Sequence, residues 1–385
     1  MTTPTYPPFS LTRLLRTVFD PQPGDRVAIL IDLENPAEVK NFGFLRNPHY
    51  AIQRHAYDVF YQGLRAGVAR ELGLVGGELF AYEMTGGSNL DLPDRVVASD
   101  GRELSFEKDL YPSYDLILCI STYSATAPLT AFAKQFGFRG ATMHGMNRII
   151  LESGLAVDYF EVSREAEALR AGMTGADFFE IDFSLGAKSY RLKLLLSGQE
   201  AQKSHGLCRE RKPDIANLPA GEVYFVPTGA EGQFPHKYED GTLGIMNVQG
   251  GRIVRADLLA GNPVTVEDHN AKLKRDPVTG ELGELGLGTQ VLPVSGSDIQ
   301  DEKILGTFHV ATGRSDHLGG HLTPDMFAEK KNATHDDILF APHKVPEITA
   351  SEVRMHRQGD TTVIIENFQP SAYVRGLLEA IRAQG

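Results

Sequence analysis

The chain has 385 residues, 42% hydrophobic and 23% charged, with 38 Lys and Arg against 50 Asp and Glu and a formal net charge of −12. That length and balance argue against a disordered polymer and leave room for two domains, each with its own core. The acidic excess, with no clustered basic face, argues against nucleic acid or an anionic membrane surface as a partner, and the two distant cysteines, Cys119 and Cys208, form neither a disulfide framework nor a CxxC metal spacing.

The first residues, MTTPTYPPFSLTRLLRTVFD, lack the basic start and continuous apolar run of a secretion signal, and no later stretch approaches ~20 apolar residues, so a soluble cytoplasmic protein is expected. RVAILIDL (26–33) reads as a buried strand. From His49 to Gly73 the residues Ile52, Ala56, Val59, Phe60, Leu64, Val68 and Leu72 recur at helical spacing. ELFAYEM (78–84), YDLILCIST (114–122), a helix over Leu129–Gln135 and a strand over Ala141–His144 continue the alternation, which predicts an α/β domain with a mainly parallel sheet over residues 1–200. Neither GxGxxG after the first strand nor GxxxxGK[ST] is present, so no nucleotide cradle is expected.

From Ala176 the texture becomes β-rich. ADFFEIDFS and SYRLKLLLS flank LGAK as a hairpin, and short strands are expected at Gly221–Pro227, Gly241–Asn247, Gly251–Leu259, Lys303–Thr312, His335–Phe340, Glu352–Gln358 and Thr361–Glu366. The second domain, 201–385, is therefore expected to be α+β, β-rich and the carrier of the chemistry.

Within that half, THDDILF (334–340) sets His335 and Asp337 on one face of a strand and Asp336 on the other, because side chains alternate along a strand. Taken alone, this H-x-D fits a solvated strand start. Three further runs interrupt apolar strands with groups that can hold a metal: GEVYFVP with Glu222, LGELGLG with Glu284 and TFHVATG with His309. Several buried charges in one domain repel one another unless a cation lies between them, so the set points to a metal site.

Those motifs in that order resemble the metal-binding half of the thermophilic-type leucyl aminopeptidases, the aminopeptidase T family, over roughly residues 215–345. The resemblance implies Glu222, Glu284, His309, His335 and Asp337 as ligands of two divalent ions (Zn, Co or Mn). It further implies a metal-activated water acting on an amide or peptide, with Glu284 and Asp316 in catalytic roles. Asp316 stands where that family has a tyrosine, seven residues after His309. The chain is also similar to the 2,5-dihydroxypyridine dioxygenases, which hold one Fe(II) on two histidines and a carboxylate and keep the H-x-D, though with a histidine at the position of Glu284. A non-catalytic protein with structural acids and histidines is the third class. The expected partners are a small molecule or short peptide and further copies of the chain in a homo-oligomer such as a dimer. Arg314, His317, His321, Lys330, Lys331 and His343 are expected chiefly as solvated charge.

Overall fold

A computed structural model describes residues 5–383. The chain divides into two compact units, both discontinuous. One runs to Ser163 and adds His205–Ala220 and Leu292–Gln300; the other comprises Arg164–Ser204, Gly221–Val291 and the chain from Asp301 on. Among the described residues no helix is long and apolar enough to cross a membrane.

The first unit is built on a seven-stranded sheet in the spatial order Asp214–Asn217, Arg139–Thr142, Leu116–Cys119, Arg26–Leu33, Val75–Glu83, Arg95–Ala98, Glu103–Ser105. The first five strands run parallel, and the last two form an antiparallel edge. Parallel strands need cover on both faces, and this sequence supplies it. Val27, Ile29 and Ile31 face one core with Leu14, Phe60 and Leu118, whereas Ala28 and Leu30 face another with Ile117, Leu129 and Phe138. The 49–73 periodicity forms a helical run from Ala51 to Leu72 that includes π-type turns at Ala56–Tyr61 and Leu64–Val68, the latter at Gly67, whose φ of 143° no helix accommodates.

The second unit packs two antiparallel sheets on one core. An eight-stranded sheet follows the order Arg252–Ala260, Leu243–Gln249, Gly229–Lys237, Lys188–Leu195, Phe178–Leu185, Thr349–Arg357, Asp360–Glu366, Gln369–Pro370. A five-stranded sheet follows the order His335–Phe340, Phe308–Gly313, Leu282–Gly288, Glu222–Phe225, Gln202–Ser204. Phe179, Phe183 and Phe234 of the larger sheet meet Phe225, Phe308 and Phe340 of the smaller one. One expected strand is corrected: Lys303–Thr312 is not continuous, since residues 302–305 form a loop and the strand starts at Phe308. The helix Pro263–Arg275 was not anticipated, although its Asn262 cap, Pro263 in the first turn and basic last turn are written in the sequence.

Candidate metal centre

The five-stranded sheet sorts its residues by face. Along its three adjoining strands Leu285, Leu287, Phe308, Val310 and Phe340 enter the shared core, so the alternate positions Glu284, Gly286, Gly288, His309, Ala311, His335 and Asp337 must face the other way. Register then places Glu222 opposite Gly288, His309 opposite Gly286 and Asp337 opposite Ala311. The small residues are what make room. A Cβ at Gly286 would lie 2.2 Å from His309 Cε1, so the imidazole occupies the space that any larger residue would fill. All five residues expected to bind metal thus converge on one face.

Their geometry centres on Glu284. His309 Nε2 lies 3.6 Å from Glu284 Oε1 and 3.7 Å from Asp337 Oδ1. His335 Nε2 lies 2.9 Å from Glu284 Oε2 and 3.2 Å from Asp337 Oδ1. Glu284, His309 and His335 are buried, while the Asp337 side chain is 31% exposed and gives the cluster its one solvent-facing edge among these residues. Two groups of ligand atoms lie within 4.8 Å of one another, Glu284 with His335 and Asp337, and Glu222 with Glu284 and His309.

The tautomer of His335 is fixed by its other nitrogen. Nδ1 lies 2.6 Å from the Arg314 carbonyl oxygen, an atom that only accepts, so Nδ1–H donates and the neutral ring turns the Nε2 lone pair toward Glu284 and Asp337. A lone pair facing two carboxylates is repulsive until a proton or a metal ion lies between them. With protons there, burial lowers the pKa of His309, but Asp337 and Glu284 raise it further, to about 10, and the same carboxylates lift His335 well above its ordinary value. Burial raises the Glu284 carboxyl, yet His309 and His335 outweigh it and hold it at about 2. Asp337 is likewise held well below the usual carboxylate range by the two imidazoles, against its own burial. In this state two imidazolium protons balance two carboxylates, and one divalent ion would restore the same balance with both rings neutral. The donor set fits a divalent ion of the transition series.

Beside this cluster lies an ion pair that sequence reasoning missed. Lys303, 1% exposed, places Nζ 2.8 Å from Glu222 Oε1 and 2.6 Å from Glu302 Oε1. Burial disfavours the ammonium, but Glu222 and Glu302 together hold its pKa above the ordinary lysine value; Glu302, buried beside other acids, is itself pushed up to about 8. The one available signal was the abrupt passage from acid and lysine into an apolar run in DEKIL (301–305).

The remaining candidates separate. Asp316 accepts from Arg314 Nε at 2.7 Å and Nη2 at 3.3 Å, and burial notwithstanding, its carboxyl is held well below the usual range by His317 and Arg314, so it is a poor proton acceptor as it stands. Arg314 and the His317 side chain are buried rather than solvated, and the His317 ring meets His335 edge-on at 5.0 Å. His343 Nε2 reaches Asp301 Oδ2 at 3.0 Å, and His321 reaches Glu281 at 3.1 Å. Lys330 and Lys331 pair with Asp325 and Glu329 at the surface.

No family model matches the chain, and no curated protein does. Among solved structures it is similar to 2,5-dihydroxypyridine dioxygenase from Pseudomonas putida KT2440, with a TM-score of 0.60 and 14% identity over 94% of this chain and 97% of that one. At that identity the likeness is one of fold.

Proposed function

We propose that the chain is a metal-dependent oxygenase in which one Fe(II), held by Glu284, His309, His335 and Asp337, supports dioxygen-dependent opening of a hydroxylated pyridine or similar aromatic ring. The observation that carries the reading is the pair of imidazole Nε2 atoms facing the carboxylates of Glu284 and Asp337, with His335 locked by the Arg314 carbonyl. Two imidazoles and two carboxylates supply four of the six positions of an octahedral ion and leave two free, an arrangement that non-haem iron can use. The similarity in fold to a dioxygenase over nearly the whole chain supports the same choice. When bound, the ion would supply Lewis acidity and redox chemistry.

The protein's own residues do the rest. Asp337, at the exposed edge, marks the side from which a small substrate enters. Arg314 fixes the orientation of His335 through its carbonyl and neutralises Asp316 through its guanidinium. Lys303 cancels the charge of Glu222, so the centre keeps two uncompensated carboxylates, Glu284 and Asp337, matched to one dication.

A second reading, two-metal amide hydrolysis of the aminopeptidase T type, is favoured by the Glu222, Glu284 and His309 grouping, which shares Glu284 with the first. The test is to load the purified chain anaerobically with Fe(II), add 2,5-dihydroxypyridine and admit oxygen. The expected result is oxygen uptake in step with loss of the ring absorbance. Hydrolysis of leucine amide by the Zn-, Co- or Mn-loaded chain, indifferent to oxygen, would replace this reading with the second.

A further inference from the structure

We propose that Lys303 sets the metal count of this centre at one, its ammonium standing in for a second cation between Glu222 and Glu302. The inference rests on the metal-centre reading above and goes beyond it by assigning a residue that determines stoichiometry.

Glu222 lies opposite Gly288, and a Cβ on Gly288 would meet Ile304 O at 2.2 Å and Lys303 C at 2.7 Å. The missing side chain therefore lets the 302–304 loop lie directly on the strand, beside Glu222. Gln290 N–H donates to Lys303 O at 2.8 Å, and the Thr307 hydroxyl donates to Ile304 O at 2.8 Å, which holds the backbone at Lys303 and the residue after it. Lys303 reaches the two carboxylates from a pinned backbone, so its ammonium is a built-in charge rather than a mobile surface group.

Glu222 is engaged on one oxygen only. Its Oε1 accepts from Lys303, while Oε2 is buried with no hydrogen-bond partner, in a residue 6% exposed. That carboxylate can also bring an oxygen within 4.8 Å of ligand atoms on Glu284 and His309, a three-donor set that suits a cation. A buried acceptor left open is costly, and it leaves Glu222 an oxygen with which to hold a cation once Lys303 is removed. With Lys303 present, a dication there would face an ammonium held on the same carboxylate and be repelled. Without the ammonium, the buried Glu222 carboxylate would stand unbalanced beside Glu284 and His309, where a second dication neutralises it.

The experiment titrates the full chain with Mn(II), a hard ion indifferent to thioether sulfur, and counts ions per chain for the wild type and Lys303→Met. The wild type is expected to saturate at one and Lys303→Met at two, with the isolated-Mn(II) electron paramagnetic resonance spectrum of the wild type replaced by that of a coupled pair. One ion in both would overturn this inference and leave the single-metal reading intact. Two ions in the wild type, or none, would overturn both. Should Lys303→Met fail to fold, Glu222→Gln decides. It retains Glu302 beside Lys303 and is expected to saturate at one ion, whereas failure to bind Mn(II) would make Glu222 a ligand in the wild type and sink the proposal.

Discussion

Each unit of the molecule buries an acid at the heart of a sheet, and the two acids are shifted in opposite directions. Asp32, at the end of the Arg26–Leu33 strand and 1% exposed, accepts from Thr122 N at 2.9 Å and from Gln53 Nε2 at 2.6 Å, with Thr122 Oγ1 and Tyr123 N completing its set. All these donors are neutral. Burial lifts its carboxyl above the ordinary value despite them. Glu284, equally buried, has two imidazoles for partners and is driven down to about 2. Depth of burial therefore does not separate a structural acid from a chemical one. An acid satisfied by amides and hydroxyls needs nothing more, whereas one that faces nitrogen lone pairs is satisfied only by a proton or a metal.

The largest effect that would test this contrast is expected from His335→Ala, which removes a donor and the ring that Arg314 orients. Metal affinity should fall by more than about 100-fold, measured by competition with a chelator, with activity lost in parallel. Retention of metal by this variant would return Glu284 and Asp337 to the class of Asp32. Asp32→Ala should show the reverse pattern. Its buried donors lose their acceptor, which should cost roughly 3 kcal/mol in denaturant unfolding, while metal content per folded chain stays unchanged. A metal-depleted but fully stable Asp32→Ala would break the distinction from the other side.

A smaller effect concerns pH. His309 is raised from 6.5 to about 10 in the folded metal-free protein, so its contribution to stability is complete below 6.5 and is lost as pH rises through about 10. Glu284, lowered from 4.5 to about 2, contributes fully above 4.5 and loses that contribution as pH falls through about 2. The thermal midpoint of the chelated protein should therefore hold between pH 4.5 and 6.5 and decline toward pH 10, while the metal-loaded protein, its rings already neutral, should not follow that decline. Parallel curves for the two forms would mean that the imidazoles are not where the ion binds. The smallest effect is expected from Asp336→Asn, whose exposed side chain accepts from Thr334 Oγ1 and faces away from the centre; stability should change by no more than about 0.5 kcal/mol, with metal content unaltered.

Much of the second unit was legible because its strands alternate. The spacing of His335 and Asp337, and the polar interruptions at Glu222, Glu284 and His309, are readable as period-two patterns whose apolar partners must share one core. The parallel sheet of the first unit was equally plain from RVAILIDL and LILC, apolar on both faces. What the sequence concealed was contact between distant segments. Nothing in DEKIL shows that Lys303 lies on Gly288 and reaches Glu222, because that depends on a glycine some 15 residues earlier and on a strand 80 residues away. Arg314 and His317 read as solvated charge because neighbours along the chain are polar, yet the turn after Gly313 folds them beneath the strand of His335. Asp32 drew no notice, since one acid ending an apolar strand is ordinary. The return of His205–Ala220 and Leu292–Gln300 to the first unit leaves no mark in composition either.

The central claim is that one divalent ion takes the place of the two protons held between His309, His335, Glu284 and Asp337. Calorimetric titration of the metal-free chain with Mn(II) near pH 6.5, repeated in buffers of different ionisation enthalpy, measures ions bound and protons released together. One ion bound with release approaching about two protons is the predicted result. Binding without proton release, or no binding at all, would contradict the account.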